Sequence, residues 1–271
     1  MTPNVLSIAG VDPSGGAGVL ADLKAFSALG AYGTGVVTAL TAQNTRSVDG
    51  VHIVPPEFVA AQVDTLLADV RIDAVKIGML GSPEVVEAVA RRLAAHGVPR
   101  IVLDPVMVAK SGDRLLAAEA VDALRRLLVP MASVLTPNLP EAADLLGEAE
   151  PAGPGAMRAM ARRLLALGPG IVVLKGGHLP GETVVDVIDD GTRVAELAAA
   201  RIATRNTHGT GCTLSAAIAA LLPRHPDPFD AIREARAYLA AAIAASGELD
   251  VGSGEGHGPV HHFHAAWPRE A

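Results

Sequence analysis

Short runs of Val, Ile and Leu alternate with longer amphipathic stretches through the first two-thirds of the chain. The runs predict buried strands at 5–10, 34–40, 73–79, 100–107, 133–138 and 171–177. The stretches predict helices at 16–30, 56–70, 83–97, about 116–128, 139–147 and 155–167. Because continuous apolar strands must be covered on both faces, this alternation predicts an α/β fold whose parallel sheet lies between helices.

The last third of the chain departs from this rhythm. Two β-rich runs flank the Asp-Asp-Gly-Thr sequence at 189–192, which predicts an antiparallel hairpin over 182–202. Helices at 210–222 and 228–245 follow. No internal repeat and no linker divides the chain, so we expect a single domain over residues 1–271.

Composition narrows the classes of partner. Half of the residues are hydrophobic, which is enough for a sizeable core, and the net charge of −7 comes without basic blocks. A nucleic-acid partner is therefore not expected. No apolar run approaches the roughly 20 residues of a membrane helix. One cysteine cannot form an internal disulfide, and together with the absence of a signal-peptide pattern this predicts a cytoplasmic protein.

Polar and glycine-rich segments come directly after the predicted strands. They read, in chain order, "GVDPSGGAG", "TAQNT", "GML", "DPVM", "TPNLPE" and "KGGH". In open parallel sheets, ligands bind beyond the carboxyl ends of the strands. The six segments together therefore predict one binding site at that edge of the sheet.

The sequence "GAGVLA" at 16–21 matches the glycine pattern of dinucleotide-binding proteins. That pattern requires an acidic residue about 20 positions later, at the end of the next strand. No acidic residue lies between Asp22 and Asp49, so a nicotinamide cofactor is disfavoured. The alternative is a glycine-rich turn that approaches a small ligand or another segment of the chain.

The only cysteine of the chain, Cys212, stands in "HGTGC" at the start of an apolar helix. The first turn of a helix has free N–H groups and a positive dipole end, which favour a bound anion. The same field lowers the pKa of a thiol, so Cys212 could be partly ionised and act as a base. A small buried cysteine that fills a helix–sheet contact is the alternative, and both interpretations stay open at this point.

Seven segments in one order extend this pattern. They are "GVDPSGGAGVLADLKAFSALGAYG", "TALTAQNT", "KIGML", "DPVMVAKSGDRLL", "LTPNLPEAADLLG", "VVLKGGH" and "NTHGTGCTLSAAIAA". From about Val5 to Phe263 the chain closely resembles the hydroxymethylpyrimidine/phosphomethylpyrimidine kinases of thiamine biosynthesis, within the ribokinase-like superfamily. The resemblance implies a three-layer α/β/α sandwich, a homodimer, and two successive phosphorylations of 4-amino-5-hydroxymethyl-2-methylpyrimidine by ATP with Mg²⁺.

The resemblance also implies roles in phosphoryl transfer. Cys212 would replace the Asp that serves as base in most ribokinase relatives, and the N–H groups of Gly209, Thr210 and Gly211 would hold the transferring group. Contacts with ATP fall to Lys175, Thr207 and His208, and magnesium ligation to Asp104, Asn138 and Glu141. Three plainer alternatives remain: a solvated Lys175, a helix-capping charge at Glu141, and an Asp104 that bonds nearby backbone N–H groups.

Recognition of the pyrimidine would fall to the first part of the chain. The carboxamide of Gln43 matches the adjacent donor and acceptor atoms of an aminopyrimidine edge. Asp22 would accept from the exocyclic amine, or it is an exposed residue of the first helix. Gly10, Ala17, Met79 and Val106 would form apolar walls and close backbone contacts, and most of them could otherwise be core residues.

The segment "GHGPVHHFH" carries four histidines, His257, His261, His262 and His264. A zinc site is one possibility, and a packed or dimer-associated segment, as the resemblance suggests, is the other.

Rival functions of the whole chain are a pyridoxine or pyridoxal kinase, a sugar or nucleoside kinase, a non-catalytic pyrimidine-binding protein and a repair dehydratase. Cys212 in place of Asp disfavours the sugar kinase, and the "TAQNT" segment disfavours the dehydratase.

Overall fold

The computed structural model describes residues 1–107 and 118–267, which fold into strands and helices in the predicted alternation. The strands are β1 (Asn4–Val11), β2 (Tyr32–Gln43), β3 (Val48–Ile53), β4 (Ala74–Ile77), β5 (Ile101–Leu103), β6 (Val134–Leu135), β7 (Ile171–Leu174), β8 (Thr183–Asp189) and β9 (Val194–Ala200). The helices are α1 (Gly18–Ala28), α2 (Pro56–Leu67), α3 (Pro83–His96), α4 (Ala118–Leu127), α5 (Leu139–Leu146), α6 (Pro154–Leu165), α7 (Thr210–Leu221) and α8 (Pro228–Ala244).

The strands form one sheet in the order β3-β2-β1-β4-β5-β6-β7-β8-β9. The six strands from β2 to β7 in this order are parallel, whereas β3 at one edge and the β8–β9 hairpin at the other are antiparallel. The predicted parallel sheet and C-terminal hairpin are thus confirmed. The sequence interpretation did not include β3.

Two apolar cores lie on opposite faces of the sheet. Helices α2 to α6 cover one face and pack on Val75 and Ile77, among other alternate strand residues. Helices α1, α7 and α8 cover the other face, where Ala74 and Val102 point. Because neighbouring residues of each central strand enter different cores, both faces need apolar side chains, and the three-layer α/β/α sandwich is confirmed.

Most predicted helices are found within a few residues of their expected bounds. The helix predicted at 16–30 begins only at Gly18, because the glycines before it form a loop. Part of the segment "DPVMVAKSGDRLL", residues 108–117, lies outside the described residues. Within the described ranges, every helix is too short or too polar to cross a lipid bilayer.

Two glycines bring the start of α1 against the start of α7. Gly18 has φ 60° and Gly209 has φ 74°, which is left-handed backbone that favours glycine. A side chain at Gly209 would overlap the carbonyl oxygen of Gly16, and one at Gly18 would overlap that of Gly10. The glycine-rich loop after β1 therefore approaches another segment of the chain, which was the alternative to a dinucleotide fingerprint.

Candidate functional site

A cavity of about 590 Å³ opens at the carboxyl ends of the parallel strands. The segments that follow six strands reach it, together with the first turn of α7. One lining residue from each segment is Asp12, Gln43, Met79, Asp104, Asn138 and Lys175. The structure thus brings to one place the six polar segments of the sequence.

The first turn of α7 forms one wall of this cavity and offers backbone N–H groups. The first strong bond of the helix runs from the N–H of Thr213 to the carbonyl of Gly209 at 2.8 Å, so the preceding N–H groups lie before the regular ladder. The N–H of Thr210 has only a long contact, 3.4 Å, with the carbonyl of Thr207. Gly209, Thr210, Gly211 and Thr207 all line the cavity, so these donors suit an anion there.

Lys175 lies opposite this helix turn, at the end of β7. A side chain on Gly211 would come within 3.2 Å of the Lys175 Nζ, which shows how closely the lysine approaches α7. Its Nζ lies 2.9 Å from Asp104 Oδ1 and 3.9 Å from Glu141 Oε2. The plainer alternative of a solvated lysine is therefore not what the structure shows, because the Lys175 side chain is largely buried against two carboxylates. Its predicted contact with ATP stays a prediction.

Asp104 is held as an anion by several donors. Thr136 Oγ1 donates to its Oδ1 and Ser215 Oγ to its Oδ2, both at 3.2 Å. Burial opposes the charge, but Lys175, Lys76 and these hydrogen bonds together keep the pKa of Asp104 below its usual range. Among the residues that the structure describes, the donors to the Asp104 carboxylate are side chains, and a carboxylate held by backbone N–H groups is not found there.

Glu141 caps a helix and also lies buried beside Asp104 and Lys175. It forms a capping box at the start of α5, in which its carboxylate accepts from the N–H of Asn138 and the Asn138 side chain accepts from the N–H of Glu141. The plainer interpretation of Glu141 as a helix-capping charge therefore describes a contact that exists. Burial and the Asp104 charge nevertheless raise the pKa of Glu141 to about 7, although Lys175 acts in the opposite direction.

This cluster has the composition of a magnesium site. Two carboxylates face a single ammonium, and burial together with the Asp104 charge raises the pKa of Glu141. A hard cation that keeps several waters would fit Asp104 and Glu141, with the Asn138 amide oxygen beside them. In the described part of the chain, no three His, Cys, Asp or Glu side chains converge on one point, so an all-protein metal cage is not formed there.

Cys212 lies in the third position of α7 and is half-buried on the cavity wall. The N–H of Gly18 donates to its sulfur. The sequence predicted a lowered pKa, and this is wrong for the unliganded protein: burial raises the pKa of the Cys212 thiol to about 11, and the nearby Lys76 ammonium offsets only part of that effect. The helix-terminal position is as predicted, but desolvation has the larger influence.

Asp22 occupies neither of its two predicted environments. It is fully buried on the inner face of α1, and its two carboxylate oxygens lie 2.9 and 2.8 Å from the Nζ of Lys76. Ser7 Oγ donates to the same carboxylate at 2.6 Å. Since these donors occupy the carboxylate behind the cavity wall, Asp22 is neither an exposed helix residue nor placed to accept from a bound ring.

His208, predicted as a nucleotide contact, is instead joined to the loop after β1. Its Nε2 donates to Asp12 Oδ2 at 2.6 Å, and the ring is largely buried. The same carboxylate accepts from Ser14 and from the N–H of Ala17. His208 therefore joins the glycine-rich loop to the segment before α7. It also contributes to the cavity wall.

The predicted pyrimidine residues cluster at the β1–β2 side of the cavity. Gln43 ends β2 and its Oε1 accepts from Thr41 Oγ1 at 3.1 Å. The apolar residues Gly10, Ala17, Met79 and Val106 all line the same wall. This brings together every predicted substrate residue except Asp22.

The opposite end of the cavity was not predicted, and it combines apolar side chains with the charged Asp186, Arg201 and Arg236. Its apolar residues come from strands β8 and β9, the segment after β9 and helix α8, and they are Val184, Ala199, Ile202, Leu239 and Ile243. No polar motif marks these positions, which read in the sequence as ordinary strand and helix residues.

Several charged residues of the site were also missed, among them Asp12 and Lys76. Asp12 lies within a quoted segment without having been singled out, and Lys76 interrupts the apolar run "DAVKIGM". A lysine inside a buried strand requires a partner, and this was a usable signal.

The histidine-rich tail packs against the helices that shape the site. His262 Nε2 lies 3.0 Å from Thr213 Oγ1, and burial lowers the pKa of His262 to about 3. Tyr238 donates to the carbonyl of His262, and the N–H of His261 donates to the carbonyl of Ala242. The tail thus has the character of a packed segment along α7 and α8.

Known proteins resemble this chain in sequence over nearly its whole length. A sequence model described as phosphomethylpyrimidine kinase matches residues 12–261. The hydroxymethylpyrimidine/phosphomethylpyrimidine kinase of Escherichia coli (strain K12) is 54% identical over 264 residues, which cover 97% of this chain and 98% of that protein.

Solved structures of related kinases superpose on the chain. Phosphomethylpyrimidine kinase from Clostridium difficile 630 gives a TM-score of 0.80 at 38% identity and covers 89% of this chain and 100% of its own. An ADP complex of Bacillus subtilis pyridoxal kinase gives 0.88 at 36% identity, with 97% and 98% covered. Staphylococcus aureus pyridoxal kinase with AMP-PCP and pyridoxal gives 0.89 at 32% identity, with 98% and 95% covered.

Proposed function

The chain belongs to the phosphomethylpyrimidine kinase family, and on that premise we propose that it phosphorylates 4-amino-5-hydroxymethyl-2-methylpyrimidine with ATP, first to the monophosphate and then to the diphosphate. The observation that carries this proposal is the meeting of Cys212, the first turn of α7 and Lys175 around one cavity. Phosphoryl transfer needs a base, donors for the moving group and neutralisation of its charge, and these three elements supply them.

In this proposal the two ends of the cavity take the two substrates. The apolar end formed by β8, β9 and α8 accepts the adenine of ATP, and its phosphates extend toward the first turn of α7. The wall with Gln43 and Met79 accepts the pyrimidine, whose hydroxymethyl group then points at Cys212. Relatives of similar fold that were solved with ADP or AMP-PCP support the use of an adenine nucleotide.

The transfer itself is a displacement at the γ-phosphorus. The thiolate of Cys212 takes the proton of the substrate hydroxyl, the hydroxyl oxygen bonds to phosphorus, and ADP leaves. The N–H groups of Gly209, Thr210 and Gly211 and the ammonium of Lys175 stabilise the charge of the moving group. Mg²⁺ held by Asp104 and Glu141 would supply the remaining positive charge.

The direct test is incubation with ATP, Mg²⁺ and the hydroxymethylpyrimidine, followed by mass spectrometry of the products. We expect the monophosphate to appear first and to convert to the diphosphate with excess ATP. The Cys212→Ala protein is the matched control. A monophosphate that accumulates without conversion contradicts the second phosphorylation, and no product at all contradicts the proposal.

A pyridoxal kinase is the second candidate, because two of the superposed structures are pyridoxal kinases with TM-scores of 0.88 and 0.89. A competition assay with equal concentrations of pyridoxal and the hydroxymethylpyrimidine separates the two. We expect phosphorylation of the pyrimidine to dominate, and preferential phosphorylation of pyridoxal would reverse the assignment.

We also propose that the protein is a homodimer, as the family resemblance implies. Leu40 on β2 and Val51 on β3 expose large apolar side chains at an edge of the sheet, where a second copy could cover them. Sedimentation equilibrium of the wild type and of a Leu40→Asp/Val51→Asp variant would test this. We expect a dimer that the variant weakens, and a monomeric wild type contradicts the proposal.

A further inference from the structure

Lys76 lies in the middle of β4, beneath helices α1 and α7, with a fully buried side chain. Its neighbours Val75 and Ile77 point to the opposite core, so the lysine enters the layer that contains Cys212. Two hydrogen bonds, at 2.8 and 2.9 Å, join its ammonium to the two oxygens of Asp22. An ammonium has three donors, and these bonds occupy two of them.

The stability of the fold does not explain this pair. Burial of two charges costs several kcal/mol per ion in desolvation, and apolar residues of similar volume often replace such pairs without loss. Ala74 on the same strand and Val102, the β5 residue that pairs with Lys76, belong to the apolar core on this face, so Leu or Met would suit the position once Asp22 is also replaced. Lys76 differs from an ordinary core residue in one respect: it contributes to the floor of the catalytic cavity.

The thiol of Cys212 lines the same cavity, on helix α7, which packs against β4. Four charged side chains act on it from four different elements, and the N–H of Gly18 donates to its sulfur. The charged groups are Lys76 on β4, Asp22 on α1, Asp104 after β5 and Lys175 after β7. The two ammonium groups favour the thiolate and the two carboxylates oppose it, and the influence of Lys76 is larger than that of Asp22.

We propose that Lys76 is a positioning residue for phosphoryl transfer: its buried ammonium, fixed by Asp22, favours the thiolate form of Cys212. The inference rests on the proposed function, since it assumes that Cys212 acts as the base. Burial alone would keep the thiol protonated, and a fixed positive charge in the low-dielectric floor counteracts burial. Asp22 has the complementary task, because a lysine buried without a counter-charge loses its proton.

The single cysteine makes the ionisation of Cys212 directly measurable in the folded enzyme without substrates. The rate of alkylation by iodoacetamide, followed by intact mass over pH 6 to 10, is proportional to the thiolate fraction. The variants are Lys76→Met and the double variant Lys76→Met/Asp22→Asn, which removes both charges and so leaves no unpaired ion. Ser7→Ala is the matched control, because it removes a hydrogen bond to Asp22 and keeps both charges.

We expect alkylation at pH 8 to slow roughly tenfold in Lys76→Met, because loss of the ammonium should raise the pKa of the Cys212 thiol by about one unit. The double variant should slow roughly threefold, because the loss of Asp22 restores part of the effect, and Ser7→Ala should match the wild type. In the folded double variant, kcat should fall while the KM for ATP stays unchanged. A folded double variant whose alkylation profile coincides with that of the wild type overturns the proposal.

This result is separate from the proposed function. A protein without pyrimidine kinase activity but with the expected alkylation shifts would refute the function and keep the electrostatic coupling. An active kinase with no alkylation shift would refute the coupling alone.

Discussion

Two largely buried lysines, one on β4 and one after β7, are held by carboxylates, and the two clusters differ in their net charge. Lys76 is paired with Asp22 alone, and both side chains are fully buried. Lys175 faces Asp104 and Glu141, and its side chain is 14% exposed toward the cavity. The first group has a net charge of zero, whereas the second would carry −1 with both carboxylates ionised.

This difference separates a permanent electrostatic element from a binding site. The Lys76 pair satisfies its own charges without a ligand. The Lys175 cluster does not, because its two carboxylates share one ammonium, and burial with the Asp104 charge raises the pKa of Glu141 to about 7. A buried cluster with unbalanced charge therefore marks the end of the cavity at which a cation and phosphates are expected to bind.

Cys212 lies between the two lysines, and its replacement should have the largest effect. A positioned general base contributes typically ~10²–10⁴-fold, so Cys212→Ala should lose about that much in kcat and keep its affinity for ATP. Cys212→Asp should recover part of the activity, since a carboxylate is a base at neutral pH, and Cys212→Ser should not. Turnover at saturating ATP measures this.

The pH dependence of the wild type provides the control for that experiment. Because burial raises the thiol pKa to about 11, the thiolate fraction grows with pH throughout the neutral and alkaline range. The turnover of the wild type should therefore rise from pH 6.5 to 9, and that of Cys212→Asp should stay flat. A stable Cys212→Ala protein with near wild-type turnover would remove the thiol from the mechanism.

Replacement of Lys175 should mainly lower kcat, whereas replacement of Lys76 should also lower the free energy of unfolding. Lys175→Met should lower kcat by roughly 10²–10³-fold, the cost of one donor to the transferring group. Its effect on stability should be the smaller of the two, because Glu141 can stay protonated and Asp104 keeps the Lys76 charge and the hydroxyl groups of Thr136 and Ser215. Lys76→Met leaves Asp22 buried and unpaired, so its free energy of unfolding should fall by about 3–5 kcal/mol.

Urea denaturation and steady-state kinetics of the same two proteins provide the measurement. If Lys175→Met unfolds as readily as Lys76→Met, the distinction between a balanced and an unbalanced cluster is wrong.

The ionisation of Glu141 should make both the stability of the protein and its response to Mg²⁺ depend on pH. Its pKa in the folded protein is raised from 4.5 to about 7, so it is protonated below that value and its ionisation costs stability as the pH rises from 4.5 to 7. Mg²⁺ should offset this cost and raise the melting temperature more at pH 8 than at pH 5.5. Glu141→Gln should lose this difference and need roughly 10- to 100-fold more Mg²⁺ for half-maximal activity.

Thermal melts and Mg²⁺ titrations of the wild type and Glu141→Gln decide the matter. An unchanged titration would leave Glu141 with its capping role alone, since the Gln side chain can still accept from the N–H of Asn138.

Replacement of Gln43 should have the smallest effect on kinetics, and it should change the KM for one substrate only. Gln43→Ala removes neutral hydrogen bonds to the ring, which corresponds to roughly 3- to 10-fold in the KM for the pyrimidine. The KM for ATP should not change, because Gln43 lies at the opposite end of the cavity from β8 and β9. Initial rates with each substrate varied separately measure this, and equal increases would assign Gln43 a structural role.

The alternating apolar pattern was sufficient to predict the sheet, both helical layers and the edge at which the site lies. It missed β3 because "VDGVHI" has four exposed residues among six and pairs only with β2, so its sequence carries no core-facing periodicity. The site was found where its residues form contiguous motifs, as in "HGTGC". The sequence could not reveal the long-range contacts that decide an environment, such as the pairing of Asp22 with Lys76 and that of His208 with Asp12. The contact of His208 with ATP stays a prediction. The direction of the Cys212 pKa was wrong because sequence position reveals the helix end but not the depth of burial.

The pair formed by Asp12 and His208 joins segments 196 residues apart, next to the contact of Gly209 with the carbonyl of Gly16. During synthesis on a ribosome, strands β1 to β7 emerge long before residues 204 to 262. A nascent chain whose strands β1 to β7 have formed therefore still lacks the first turn of α7, which we propose holds the transferring phosphoryl group. In this proposal, phosphoryl transfer becomes possible only when the segment from residue 204 onward has docked, and a chain truncated before it would not turn over ATP.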